Sequence, residues 1–138
     1  MRIDRTFLAY ESLLELVIEA QSLLFVKVAG HEEPISPMLV QVDLFQSWYL
    51  RFQPTWHQKQ YLLDNESLVA CKNIALFIAR FLQKHPQFRT RTIPENYPTK
   101  PTPEFLSEVV ALHSEFLGLL QVARQPLQEF LTHQIEKS

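Results

Sequence analysis

The chain has 138 residues, 46% of them hydrophobic and 20% charged, with 2 Gly, 9 Pro, 1 Cys and a net charge of −2. This length suits one domain with one core, and the composition lies far from disordered, collagen-like and disulfide-framework chains. The shortage of glycine argues against a protein of many tight hairpins, and the lone Cys71 allows neither an internal disulfide nor a cysteine-based zinc site.

The expected architecture is all-α. It is a four- to five-helix bundle spanning residues 1–138 as a single domain, with a long Pro-rich connection before the last helix. Residues 6–28 read as a first amphipathic helix, with Phe7, Tyr10, Leu14, Val17, Leu24 and Val28 at helical spacing opposite Glu11, Glu15 and Glu19. These acids also interrupt the apolar stretch behind the basic N-terminus, so it reads as a helix and not as a secretory leader. Nowhere does an uncharged apolar run reach the length that spans a bilayer. Together with the single cysteine, this points to a cytoplasmic protein with no membrane partner.

Gly30 is expected to stop the first helix, and Ser36-Pro37 supplies an N-cap and a first-turn proline for the second. Its expected buried stripe is Met38, Val42, Phe45, Tyr49 and Phe52, its expected end is Pro54, and Thr55 with Gln58 resembles a capping box that restarts a short helix. The alternation Val40-Gln41-Val42-Asp43-Leu44 and the β-branched stretch around Val26 and Val28 fit strands equally well. Residues 25–45 therefore form either a helix pair or a β-hairpin.

Asp64 or Asn65 caps a third helix running to about Lys84, apolar at Leu68, Cys71, Ala75, Ile78 and Leu82 and read as the central one. Pro86, Pro94, Pro98, Pro101 and Pro103 then forbid regular helix. Thr102-Pro103-Glu104 opens the last helix, whose apolar pattern resumes beyond Pro126, where a kink is expected.

Arg80 and His85 stand in an Arg-x4-His spacing, and in this motif the chain resembles the HEPN family of helical-bundle ribonucleases. The resemblance implies metal-independent RNA cleavage at a dimer interface, with His85 handling a proton and Arg80 stabilising charge on the phosphate. Read from the residues alone, Arg80 shares a solvated stripe with Asn73 and Lys84. His85 then sits at a helix C-terminus, where the dipole favours a cation. His113 lies among Leu106, Val109, Leu117 and Leu120 on one helical face and is expected to be a hydrogen-bonded core histidine. Glu129 and His133 form a lone i,i+4 couple, no His-x3-His pair occurs, and no Gly-rich phosphate loop or nucleophile elbow is present. No metal and no cofactor are expected.

Two features point to partners. Residues 80–100 hold Arg80, Lys84, Arg89, Arg91 and Lys100 against the single acid Glu95, a net of +4. Lys84, Arg89, Arg91 and Lys100, with Phe88 and Tyr97 interleaved, suit anion or nucleic-acid binding. Trp48, Tyr49, Phe52 and Trp56 crowd the end of the second helix, and adjacent helical positions about 100° apart cannot all face one narrow stripe. These four aromatics are the expected partner-binding surface. The leading expectation is a non-enzymatic protein–protein interaction module or accessory subunit, possible as a homodimer. A HEPN-like ribonuclease or toxin component and a small nucleic-acid-binding subunit are the alternatives.

Overall fold

The computed structural model describes residues 4–23, 26–27, 34–35, 42–84 and 103–137, with side chains at 4–22, 46–84, 111–112 and 114–136. Among the described residues it is an all-α bundle of four helices: α1 (Arg5–Leu23), α2 (Val42–Lys59), α3 (Asn65–Lys84) and α4 (Pro103–Lys137). A 3-10 turn, Gln60–Leu62, joins α2 to the α3 cap. The Pro-rich connection lies outside the described residues.

The helices run alternately up and down. Tyr10 near the start of α1 stacks on Phe130 near the end of α4, while Gln21 at the end of α1 reaches Gln121, so α1 and α4 are antiparallel. Along α3, Asp64 and Glu66 lie beside His133 whereas Arg80 reaches Glu115, so α3 and α4 are antiparallel too. The middle of α2 contacts Leu16 and Glu19, and the chain just beyond its end is held at Tyr10. This reverses α2 against α1.

α1 and α4 pack most extensively against each other, and α3 leans mainly on α4. The central pair is therefore α1 with α4, which corrects the expectation for α3. Two long apolar faces explain it. α1 buries Tyr10, Leu13, Val17 and Ala20, and α4 answers with Phe116, Leu120, Ala123 and Leu127, each set repeating every three or four residues. Gly118 lies outside this stripe on α4.

α1 starts where Asp4 accepts the Phe7 N–H at 2.9 Å, and α3 starts where Asp64 accepts the Ser67 N–H at 2.8 Å. Both are N-caps that satisfy orphan first-turn donors. α1 ends at Leu23, earlier than expected, and Val26–Lys27 pairs antiparallel with Pro34–Ile35 in register Val26↔Ile35. The β-branched residues there favour extended backbone. The described part of residues 25–45 is thus a two-residue ladder followed by a helix from Val42, and the Ser36-Pro37 start lies outside the described residues.

Pro54 does not end α2, which continues through it to Lys59. The expected capping box does not form either: the Thr55 hydroxyl donates back to the Arg51 carbonyl at 2.7 Å. Pro54 and Leu50, whose carbonyl loses its i+4 donor, are both exposed, so water can take that acceptor. On the inner side Trp48, Phe52 and Trp56, four residues apart, are all buried and hold the two halves in line. α4 likewise continues through Pro126 as one helix.

Candidate functional site

The aromatic cluster is core. Trp48 is 1% exposed, Phe52 and Trp56 are buried with it, and Tyr49 is partly buried against the same cluster. The Trp48 ring stacks on Phe52 at 5.0 Å and meets Phe116 edge-on at 5.6 Å, while its indole N–H donates to the Leu16 carbonyl at 2.8 Å. The partner-binding surface expected at Trp48, Tyr49, Phe52 and Trp56 is therefore corrected. The stripe centres on Trp48 and repeats at i, i+4 and i+8, and Phe77 stacked on Phe116 closes it from α3. Of the aromatics beyond it whose side chains are described, Tyr61 is the exposed one, at 83%.

Arg80 is exposed and its Nη2 lies 3.2 Å from Glu115 Oε1. His85 lies outside the described residues, as do Arg89, Arg91 and Lys100. Lys84 is exposed at the end of α3. His113 falls within α4, but its side chain lies outside the described residues.

Cys71, the one thiol, is fully buried, and burial pushes it from an ordinary 9.0 up to about 12. A thiol so far from its thiolate is a poor nucleophile. The Tyr10 hydroxyl accepts the Asp64 N–H at 2.7 Å. Burial raises its pKa above the ordinary value, against an opposing pull from the Asp64 backbone and Ser67. It ties the start of α1 to the α3 cap and is occupied in that role.

Among the described residues, two open depressions bear on function. At one end of the bundle, Asp64, Glu66, Glu129 and Glu136 surround His133 and Phe130. Asp64 is engaged as the α3 cap and Glu129 accepts from the Gln125 amide at 3.3 Å. Among the described residues no group of three or more His, Cys, Asp or Glu side chains is placed to hold a metal ion. The other depression runs between α1 and α4 over Ile18, Gln21, Gln121 and Arg124. Neither gathers a nucleophile and a base within hydrogen-bond reach among the described residues.

The outer face of α3 is unusual in another way. Val69 and Leu76, two turns apart on one stripe, are 47% and 50% exposed, with Lys72 and Asn73 between them and Arg80 one turn on. Sequence reasoning missed this face because the apolar count of α3 was credited entirely to the core. The signal was the surplus itself, since the buried stripe of Cys71, Ile74, Ile78 and Leu82 leaves Val69 and Leu76 on the other side. No family model, no curated protein and no solved structure matches the chain.

Proposed function

We propose that this protein is a non-enzymatic helical interaction module, a small accessory subunit that meets a protein partner on the outer face of α3. The observation that carries this reading is the exposed pair Val69 and Leu76 framed by Lys72 and Arg80. Covering such side chains gains about 25 cal/mol per Å² of apolar surface, and exposed Lys72 between them favours an acidic, amphipathic face on the partner. A cytoplasmic location belongs to the same reading. It is supported by the single buried cysteine and by the absence, among the described residues, of any helix long and apolar enough to cross a membrane.

The test is affinity purification from the native host with wild type and with Val69→Glu/Leu76→Glu, identifying bound protein and bound RNA. Both positions are solvent-facing, so the double variant keeps its circular dichroism spectrum. A specific protein recovered by the wild type and lost by the variant supports the reading. RNA in place of protein, cleaved without metal and spared by Arg80→Ala/His85→Ala, overturns it in favour of the ribonuclease. Uncleaved RNA released by Arg89→Ala/Arg91→Ala favours the nucleic-acid-binding subunit.

A further inference from the structure

We infer that the groove between α1 and α4 is an anion-binding site built on Arg124. Its polar side chains form one directed chain. Arg124 Nη1–H donates to Gln21 Oε1 at 2.8 Å, and Gln21 Nε2–H donates to Gln121 Oε1 at 3.0 Å. Gln21 is only 9% exposed, and both ends of its amide are used, so it fixes the other two side chains in place. The direction of the chain decides what remains. A guanidinium has five N–H donors and a primary amide two, so most of Arg124's donors and the amino group of Gln121 are left over at the two ends of the chain.

The charge is equally one-sided. Arg51 and Arg80 each reach a glutamate, whereas half-buried Arg124 reaches only an amide, and no carboxylate lines the groove among the described residues. A cation drawn partly out of water with no counter-ion among the described residues is complemented by an anionic group, and a guanidinium fork fits both carboxylate and phosphate oxygens. Ser114 adds a hydroxyl along the same wall, while the Ser22 hydroxyl donates to the Ile18 carbonyl at 3.3 Å. Gly118 leaves room for the body of the ligand, because a Cβ placed there meets nothing within 4 Å. Ile18 and Leu117 offer that body an apolar side.

The test follows the Arg124 Nε–H and the Gln21 and Gln121 side-chain amides by NMR while inorganic phosphate or acetate is added, with sodium chloride holding ionic strength constant. Saturable shifts with a Kd on the order of millimolar are expected for at least one anion. Tighter binding of phosphate assigns a phosphate ligand, and tighter binding of acetate a carboxylate. Arg124→Gln should weaken binding at least tenfold with the backbone spectrum otherwise kept, Arg124→Lys should weaken it less, and Arg51→Gln should leave it unchanged. Linear shifts without saturation for both anions, or equal loss in Arg51→Gln, would overturn the assignment.

Discussion

Trp48 fills the middle of the core with its ring and fastens α2 to α1 with its N–H. Trp48→Ala removes a ring that is 1% exposed, and should lower the unfolding free energy by about 3–5 kcal/mol in urea denaturation. Trp48→Phe keeps much of the packing and loses the bond to Leu16, so it should cost less. A loss below about 1 kcal/mol for the alanine variant contradicts a core position. Cys71 supplies a pH dependence. Its folded pKa is raised from 9.0 to about 12, so its contribution is complete below pH 9 and is lost as pH rises toward 12. Tyr10 shifts in the same direction, so the comparison must isolate the thiol: Cys71→Ala should flatten the alkaline fall measured by denaturation at successive pH values. An unchanged slope contradicts the burial of the thiol.

At the scale of the element, α3 was the most legible. Asp64 or Asn65 reads as its cap and about Lys84 as its end, and the helix spans Asn65–Lys84 with Asp64 as the cap. α2 was misread because local rules make Pro54 a terminator and Thr55 a new start. The burial of Phe52 and Trp56 on either side of Pro54 outweighs a local cost of roughly 3 kcal/mol. It follows that Pro54→Ala should stabilise the protein by about 1–3 kcal/mol, since it restores the N–H toward the Leu50 carbonyl; destabilisation in urea would show that the proline is required. α1 was read too long because Leu24 and Val28 continue the apolar period, although β-branched Val26 pairs with Ile35 instead. Gly118 carries the opposite lesson. It sits inside α4 with nothing near its missing Cβ, so Gly118→Ala should raise stability by about 0.5–1 kcal/mol. A loss of stability would mean that another part of the chain occupies that space.

For the whole molecule, the decisive question at sequence level was whether the aromatics of α2 face out or in. Adjacent Trp48 and Tyr49 cannot be equally buried on one helix, and a stripe anchored on Tyr49 leaves Trp48 and Trp56 for a partner. Anchored on Trp48, the same residues close the bundle, and the interhelical contacts with Leu16 and Phe116 that decide between the two are invisible in one sequence. The candidate surfaces were less legible still, because the α1–α4 groove joins Gln21 to Gln121 and Arg124 across a hundred residues. Because Trp48 and Trp56 are buried, self-association through them is not expected, and light scattering at about 50 μM should keep the mass of a Trp48→Phe variant equal to that of the wild type. The most direct check of the bundle is iodide quenching of tryptophan fluorescence, since the 2 Trp of the chain are both in the cluster. Weak quenching in the native protein that rises several-fold in urea is the expected result, and native quenching as strong as in urea would return the cluster to the surface and contradict the core described here.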